Sequence, residues 1–310
     1  MHRCSLPHSI FKFAICAIVF VVVLLARSAA LADVHITLQN DFIQKYMNSV
    51  TISVRAYEVD FTRKHQPAAD GDMHVAGRSD EIGLATVAEV MNVQDYPAAA
   101  NLIDNAIGQG TIGVSGVWRF WCEHSGGKDQ VQNAPVPQFA NSNPDHVFEI
   151  HPVTQVGNVS LEKSLKDIQG YTAKDAGAAF AKYQAANSEI TLDDTTTTIR
   201  SPVIGYNYVD FWVLPVSGSQ QTTDGGTWVY ATVYDSGDNV LVRKLRMLFV
   251  AGSDEEAAIK ALSQGEKLHV LGIPRIDLAL VWYRRIHAIN NPDILTWHLP
   301  YEMVIVGLIQ

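Results

Sequence analysis

The sequence lacks several features that would each assign a protein class. It has only three cysteines, and Cys4 and Cys16 lie in or near an apolar N-terminal run. Without that segment Cys122 is alone, so no internal disulfide can form and buried apolar area must stabilise the fold. The sequence contains no P-loop, dinucleotide fingerprint or nucleophile elbow. Beyond residues 13–26, no stretch is apolar for long enough to suggest a membrane-spanning helix.

Residues 1–32 have the pattern of an export signal. A positively charged start precedes 14 apolar residues, and the Ala-Leu-Ala at 30–32 supplies the small residues that a signal peptidase needs. The apolar run is shorter than the roughly 20 residues that span a bilayer. We therefore expect cleavage before Asp33 and export to the periplasm or the medium. The alternative, anchoring by an uncleaved helix, stays open because Arg27 lies close to the cut site.

Basic residues are scarce relative to acidic ones, with 23 Lys and Arg against 32 Asp and Glu. Cleavage removes three basic residues and no acidic ones, which changes the net charge from −9 to −12. Because phosphate binding depends on clustered Lys and Arg, this balance disfavours nucleic acid as a partner. We expect no membrane contact after cleavage, and the ligand or protein partner stays unknown.

The rest of the chain predicts a mainly β fold with a few helices. Three predicted strands, a helix and two more strands follow one another, which is the order of the OB-fold, a small Greek-key barrel. We therefore predict a first OB-like domain over residues 33–158. Its predicted strands are 49–61, 72–79, 84–92, 110–121 and 146–156, and its helix is 97–107.

The same order occurs a second time, after a helical connector predicted at residues 159–188. We predict a second OB-like domain at 189–310, so the fold is two tandem OB-like Greek-key barrels. Gly116 and Gly272 lie in the strand after each helix, where a barrel strand must bend. The alternative is one larger β-sandwich. The predicted strands are 206–217, 227–235, 240–250, 266–282 and 295–309, and the helices are 160–169, 174–186 and 254–264.

Strand alternation places polar residues of the first domain on one face of the barrel. Asp72 and His74 share a face of the second strand, Arg119 points away from the apolar face of the fourth, and Glu149 and His151 share a face of the fifth. If these faces line a common groove, the five side chains converge there. The second domain lacks a matching cluster, so we assign any site to the first.

Two residues of this set, together with the nearby Asp70, predict a metal site. Asp70, Asp72 and His74 stand at alternate positions, and oxygen or nitrogen ligands at that spacing on a strand project the same way. A divalent metal is therefore the one cofactor that the sequence suggests. The alternative is a plain turn, because Asp-Gly is a common turn dipeptide.

Catalytic and ligand-binding roles are the remaining predictions. Glu149 could orient His151 and raise its basicity, so that either acts as a base, while Arg119 steadies negative charge. The alternative is a structural histidine satisfied by a carboxylate. Three neighbouring residues, Trp121, Glu123 and His124, are candidate ligand contacts, with Trp121 as an exposed aromatic platform.

Two resemblances add to these predictions. The segments DGDMHV, VAEVMN, VSGVWRFWCEH and FEIHPV, within residues 70–156, resemble a group of exported bacterial proteins of uncharacterised function. More distantly, the Asp-Gly-Asp at 70–72 resembles that of staphylococcal-type thermonucleases, which are also OB-folds, and this implies Asp72 as a calcium ligand. Ala98 stands where those enzymes have their general-base glutamate, which argues against nuclease activity.

Two functions therefore stand as hypotheses. The first is an exported non-catalytic binding or scaffold protein that uses the polar face of the first barrel. The alternative is a metal-dependent hydrolase, for example a phosphodiesterase, with its site in the same barrel. The sequence leaves open whether the protein is an enzyme.

Overall fold

The computed structural model describes residues 33–309, and the predicted export signal lies outside the described residues. Strands dominate, as predicted, and five α-helices lie among them in this part of the chain. The strands are β1 (Val34–Gln39), β2 (Thr51–Lys64), β3 (Met73–Arg78), β4 (Thr86–Val90), β5 (Thr111–Phe120), β6 (Gln130–Val131), β7 (Phe148–Val156), β8 (Val159–Ser160), β9 (Lys174–Asp175), β10 (Asn187–Leu192), β11 (Thr196–Ser201), β12 (Val209–Pro215), β13 (Gln221–Thr223), β14 (Gly226–Tyr234), β15 (Val240–Val250), β16 (Leu268–Ile276), β17 (Thr296–His298) and β18 (Tyr301–Leu308). The α-helices are α1 (Asn40–Tyr46), α2 (Pro97–Ala106), α3 (Ala176–Ala185), α4 (Asp254–Ala261) and α5 (Leu278–His287).

Two closed five-stranded barrels follow one another along the described chain. In the first, the order β4-β3-β2-β5-β7 is closed by a parallel pairing of β4 with β7. In the second, β14-β15-β18-β16-β12 is closed by β12 and β14, and β15 with β18 is the parallel pair. Helices α2 and α4 lie between the third and fourth strands of their barrels, as in an OB-fold. The prediction of two tandem OB-like barrels is confirmed.

Both predicted bend glycines lie at β-bulges. The pairing register shifts at Gly116 between β5 and β7, and at Gly272 between β16 and β18. A Cβ atom on Gly116 would stand 2.4 Å from the carbonyl oxygen of Pro152, and one on Gly272 would stand 2.8 Å from the ring of Phe211. A side chain has no room at either place, so glycine lets each strand bend tightly around its barrel.

A third sheet, which the sequence did not predict, joins the two barrels. Its strand order is β17-β10-β11-β1-β6. Strand β6 belongs to the loop between β5 and β7 of the first barrel, and β17 to the loop between β16 and β18 of the second. Corresponding loops of the two barrels therefore form opposite edges of one sheet.

Two helix boundaries depend on aspartate caps. Helix α3 confirms the predicted helix in the connector, and the Asp175 carboxylate accepts a hydrogen bond from the Ala178 amide at 2.8 Å. The other helix predicted there, at residues 160–169, is only a 3-10 turn at Glu162–Ser164. The strand predicted over 266–282 was also too long. It ends at Ile276, because the next residue caps α5.

Apolar side chains of both barrels and of α3 form one continuous core. Large buried residues include Trp118 and Phe148 of the first barrel, Phe180 of α3 and Phe211 of the second barrel. Cys122 is buried among them, and burial raises the pKa of its thiol to about 11, which agrees with a structural role. None of the helices between residues 33 and 309 has the length and apolar composition that crossing a bilayer requires.

Candidate functional site

The polar face of the first barrel packs against the second barrel instead of facing solvent. Arg119, Glu149 and His151 are each at most 1% exposed. The Arg119 guanidinium donates to the carbonyl oxygen of Pro274 at 2.7 Å and also to the side chain of Asn207. The predicted open groove was therefore wrong. A strand face with charged residues is exposed to solvent only where no other part of the protein covers it. Here the second barrel covers the face and supplies hydrogen-bond partners for its charged groups.

An arginine–glutamate pair lies at the centre of this interface. Arg119 of β5 stands opposite Glu149 of β7 in the strand register and donates to its carboxylate. Burial alone would raise the pKa of Glu149, but Arg119 and the neighbouring histidines hold it well below its ordinary range. Glu149 is therefore ionised and a weak base, and Arg119 is neutralised by a protein carboxylate.

His151 is held as an imidazolium. Its Nδ1 atom lies 3.0 Å from Glu89 and 3.4 Å from Glu149, and its Nε2 atom lies 2.7 Å from the hydroxyl of Tyr208. Burial would lower the pKa of His151, but Glu89 and the other carboxylates raise it to about 10. At neutral pH both ring nitrogens carry protons, so this histidine cannot accept one from a substrate.

The predicted metal triad is divided between two clusters. Strand β3 begins at Met73, after a turn in which Gly71 has φ of 71°, so Asp70 does not share the strand face of His74 by alternation. Asp70 accepts a hydrogen bond from His65 at 2.8 Å, and its other oxygen lies 3.9 Å from His74. Asp72 points the other way, into the interface. Sequence alternation failed here because it was applied to residues outside the strand.

Three groups of side chains have ligand atoms within 4.8 Å of one another. The first group lies at the loop between β2 and β3, and the other two lie in the interface. Glu89 belongs to both interface groups. One of its carboxylate oxygens faces His74 and the other faces His151. The groups are His65, Asp70 and His74; Asp72, Glu89 and His151; and Glu89, His146 and Glu149.

Two carboxylates of the interface have opposite protonation tendencies. Asp72 accepts a hydrogen bond from the Tyr208 hydroxyl, and its Oδ1 atom has no partner among the described residues. Burial raises the pKa of Asp72 well above its ordinary value, although His151 pulls it down. Burial also opposes ionisation of Glu89, but His74 and His151 outweigh it and lower that pKa to about 2. Asp72 thus favours the protonated form and Glu89 the ionised form, and the imidazolium of His151 lies between them.

The predicted ligand contacts lie on the loop between β5 and β6, and one of them was wrong. Trp121 is only 1% exposed and packs edge-on against Tyr183 at 5.4 Å, so it offers no exposed platform. Burial raises the pKa of Glu123 to about 7. His124 stacks on His146 at 5.2 Å, and burial lowers the pKa of His124. Glu123 and His124 are the two partly exposed members of the predicted set.

Sequence reasoning missed four residues of these clusters. Glu89 had a usable signal, since a lone carboxylate within the apolar segment VAEV indicates a buried polar network. Tyr208 had none, because its role depends on the way the barrels pack. The missed residues are His65, Glu89, Asn207 and Tyr208.

The second barrel contributes a buried ion pair of its own, although none of the His, Asp and Glu groups found among the described residues lies in it. Arg275 of β16 stands opposite Glu302 of β18 and donates to it at 2.7 Å. It also donates to the carbonyl oxygen of Trp118 at 3.0 Å, the residue before Arg119. Arg119 in turn donates to Pro274, the residue before Arg275. The two barrels therefore meet through reciprocal arginine–carbonyl hydrogen bonds.

An open cleft of about 660 Å³ lies on the first barrel, away from the interface residues. It is bounded by the loop between β3 and β4 and by the loop between β6 and β7. OB-folds bind ligands across their second and third strands and at the loop between the fourth and fifth strands. The lining of the cleft is mixed in character, and its charged residues are Glu58, Arg78, Asp80 and Glu81.

The chain matches no protein-family model and no curated protein. Among solved structures it is similar to one described as "Molecular basis for abrogation of activation of pro-inflammatory cytokines", with 10% identity, 74% of this chain and 84% of that chain covered, and a TM-score of 0.17. Another is the Ifi202 HINa domain in complex with 20bp dsDNA, with 7% identity, 77% and 88% covered, and a TM-score of 0.18. Likenesses at these TM-scores carry no argument about what this chain binds.

Our use of the acidic net charge to disfavour nucleic acid as a partner was wrong. One of the matched structures contains double-stranded DNA, and the charge argument itself does not hold. Net charge is a sum over the whole chain, whereas phosphate contacts need only a local group of Lys and Arg. The charge balance of the whole protein therefore excludes no class of ligand.

Proposed function

We propose that this protein is an exported, non-catalytic binding or scaffold protein. In this proposal the buried charges fix the two barrels relative to each other, and the ligand binds at the exposed loops of the first barrel. The predicted signal at residues 1–32 and the resemblance of residues 70–156 to exported bacterial proteins support export. The function of the buried groups is then structural.

The observation that carries the proposal is that the three predicted catalytic groups are buried and already paired. Glu149 is paired with Arg119, and His151 lies between the carboxylates of Glu89 and Glu149 and the hydroxyl of Tyr208, where the carboxylates raise its pKa to about 10. A general base needs a pKa near the working pH and access to the substrate proton. None of the three is more than 1% exposed, so a substrate reaches none of them in this arrangement.

The cleft beside the loop between β3 and β4 is our candidate for the ligand surface. Arg78 is held there by Glu58 at 2.8 Å and by Asp60 at 3.3 Å, whereas Asp80 is exposed. Side chains fixed by ion pairs lose little conformational freedom when a ligand binds. A polar ligand fits this lining better than an apolar one, because an apolar ligand would take water from the exposed Asp80 carboxylate without replacing it.

A metal-dependent hydrolase is the second candidate. The observation that favours it is that two groups of metal-ligand type converge on Glu89, one with Asp72 and His151 and one with His146 and Glu149. A metal ion there would have to replace hydrogen bonds already made, and a substrate would have to open the interface. The alternative therefore requires the two barrels to separate during catalysis.

An assay separates the two candidates. Purified residues 33–310 would be incubated with bis(p-nitrophenyl) phosphate and with Ca²⁺, Mn²⁺ or Zn²⁺ in turn. We expect hydrolysis at the rate of the metal alone, with no difference between the wild type and the Glu149→Gln variant. Metal-dependent turnover that is lost in both Glu149→Gln and His151→Gln, while both variants stay folded, would show that the hydrolase interpretation is right.

The binding proposal has its own test. Residues 33–310 would be applied to arrays of glycans, peptides and oligonucleotides, and any captured probe would be tested against Asp80→Lys. Lys163→Ala, an exposed change outside the cleft, is the control. We expect the charge reversal to change the affinity of the probe and the control to leave it unchanged. Binding that is equal in all three proteins would place the ligand elsewhere. Mass spectrometry of the mature amino terminus tests export separately, with Asp33 expected as the first residue.

A further inference from the structure

We propose that the loop between β2 and β3 binds one divalent ion of the zinc type through His65, Asp70 and His74. This site lies outside the Arg119–Glu149 pair and outside the cleft, so it does not depend on the proposed function. It also differs from the triad that strand alternation suggested, because His65 takes the place of Asp72. The loop would then be a metal site on an otherwise non-catalytic barrel.

The ligand atoms already stand close together. His65 Nδ1 lies 2.8 and 2.9 Å from the two oxygens of Asp70, and His74 Nε2 lies 3.9 Å from one of them. The rings of His65 and His74 are 4.2 Å apart. Tetrahedral Zn²⁺ with bonds of about 2.0–2.2 Å places its ligand atoms roughly 3.3 Å apart. The three ligand atoms all lie within 4.8 Å of one another, so small rotations of the side chains would bring them towards that spacing.

The backbone holds these ligands in place. His65 ends the hydrogen-bonded ladder of the β2–β3 hairpin, where its amide donates to the carbonyl oxygen of Asp72 at 2.7 Å. The amide of Asp72 donates to the Asp70 carboxylate at 3.1 Å, which orients that ligand. Gly71, in the left-handed region, turns the chain between them. In metalloproteins, hydrogen bonds of this kind to the ligand residues fix the orientation of the groups that bind the metal.

His74 supplies the independent sign that something is to be bound. Its side chain is only 8% exposed, and its Nδ1 atom has no hydrogen-bond partner among the described residues. The carboxylate oxygens that face Nε2 are those of Glu89 at 3.7 Å and Asp70 at 3.9 Å, both beyond hydrogen-bond length. An ion at Nε2 would give that nitrogen a close partner between the two carboxylates, while Nδ1 would stay free to hold its proton.

Glu89 connects the proposed site to the interface between the barrels. One of its oxygens lies 3.7 Å from His74 Nε2 and the other lies 3.0 Å from His151 Nδ1. It can therefore serve as a fourth ligand while it keeps its contact with His151. The ion would also offset the negative charge of Asp70 and Glu89, which lie on the same side of the barrel.

The donor set selects the kind of ion. Two imidazoles and a carboxylate suit Zn²⁺, Ni²⁺ or Cu²⁺, whereas Ca²⁺ takes six to eight oxygen ligands. The chain also contains a natural comparison in His269 and Asp210 of the second barrel. These two side chains form a similar partly exposed pair, but no third ligand is grouped with them among the described residues. That pair is a structural contact, and the loop site differs from it by the presence of His74.

Titration with metal tests the proposal directly. Residues 33–310, stripped with EDTA, would be titrated with ZnCl₂ in a calorimeter and with CoCl₂ under visible absorption. We expect one ion per chain, d–d bands of tetrahedral Co²⁺ that Zn²⁺ abolishes, and no competition by Ca²⁺. His74→Ala and His65→Gln should each weaken binding roughly tenfold or more, while His269→Ala should leave it unchanged.

Two results would decide against the proposal. No stoichiometric binding to the wild type overturns it outright. Binding that survives both His65→Gln and His74→Ala places the ion at another cluster. Circular dichroism of each variant shows whether it is folded, and His65→Gln keeps a donor for Asp70, so it separates loss of a ligand from loss of the loop. A Zn²⁺ site confirmed in a protein that fails the array test would leave this inference intact and remove only the proposed ligand surface.

Discussion

Each barrel contributes one arginine and one glutamate to the interface, at matching strand positions. Arg119 follows the bulged Gly116 by three residues and pairs with Glu149, and Arg275 follows its own bulged glycine by three residues and pairs with Glu302. Their surroundings differ. Two further residues of the second barrel, Arg246 and Asp277, close its pair, and the Arg275 guanidinium lies 3.4 Å from the Trp118 ring.

The first barrel surrounds its pair with titratable groups instead. His146 and His151 approach Glu149 at 3.4 Å, and Glu89 links His151 to His74. What the barrels share is therefore the arginine–glutamate pair, and what the first barrel adds is a set of imidazoles and acids. The shared pair explains how the barrels are held together. The added groups connect that pair, through Glu89, to His74 and the proposed metal site.

Breaking one shared pair should have the largest effect. Arg275 is fully buried and also donates to the carbonyl oxygens of Ser49, Val50 and Trp118. Arg275→Met would leave Glu302 buried beside Arg246 alone, so we expect a loss of about 3–5 kcal/mol in the free energy of unfolding. Urea denaturation of residues 33–310 measures it.

The equivalent change in the first barrel sharpens the comparison. Arg119→Met should cost a similar 3–5 kcal/mol, since it leaves Glu149 buried without its main partner. The double variant Arg275→Met/Glu302→Met should recover only part of the loss, because without Glu302 the buried Arg246 keeps only Asp277, at 4.0 Å, as a charge partner. A loss below about 1 kcal/mol for either single variant would contradict a structural role for the pairs.

The second prediction concerns pH. Burial, with Glu302 nearby, raises the pKa of Asp277 to about 6, so the folded state keeps a proton that the unfolded state has lost. The contribution of Asp277 to the free energy of unfolding therefore falls as pH rises from about 4 to about 6. Asp277→Asn removes this dependence and can still cap α5. Its stability relative to wild type should rise by on the order of 2–3 kcal/mol across that window.

The first barrel supplies the parallel case. Burial raises the pKa of Glu123 to about 7, so Glu123→Gln should gain stability relative to wild type over a window that extends to pH 7. The gain should be smaller, because this side chain is partly exposed. Thermal melts at half-unit steps from pH 4 to pH 8 measure both. A stability difference that is flat with pH would show that neither acid is held protonated.

Two tyrosines test whether hydrogen bonds or burial dominate in the interface. The Tyr208 hydroxyl bridges His151 and Asp72, so Tyr208→Phe leaves two buried polar groups unsatisfied. We expect a loss of about 1–3 kcal/mol. The hydroxyl of Tyr301 is buried with no partner among the described residues, so Tyr301→Phe should be neutral or slightly stabilising. Equal losses in both variants would mean that packing, not hydrogen bonding, is what Tyr208 provides.

The barrels could be predicted from the sequence because their cause is local. The order of the elements and the bend at Gly116 and Gly272 follow from strand alternation and from the shape of glycine. The end of β16 was missed because an apolar run such as DLALVW fits a strand or a helix equally. The cap at Asp277 was the available signal.

The candidate site could be predicted only as a set of residue types. Alternation correctly separated the polar face carrying Arg119, Glu149 and His151 from the apolar one, but it does not say what covers a face. The covering groups, Asn207 and Tyr208, lie more than 55 residues further along the chain and meet that face only after the barrels pack. Burial of the site is therefore a tertiary property that no local pattern encodes.

The smallest effect is expected at a histidine–aspartate pair of the second barrel that resembles the pair of His65 and Asp70 in the first. His269 and Asp210 form a partly exposed pair, and the His269 ring stacks on Trp212 at 4.2 Å. Exposed pairs contribute little, so His269→Ala should cost at most about 1 kcal/mol in the free energy of unfolding. Added Zn²⁺ should raise the melting temperature of His269→Ala as much as it raises that of the wild type. His65→Ala should also cost little without metal, but it should lose the stabilisation that Zn²⁺ gives the wild type. The two histidines make similar contacts with their aspartates. If only His65→Ala loses the stabilisation by Zn²⁺, the difference comes from the third ligand, His74, which has no equivalent beside His269 among the described residues.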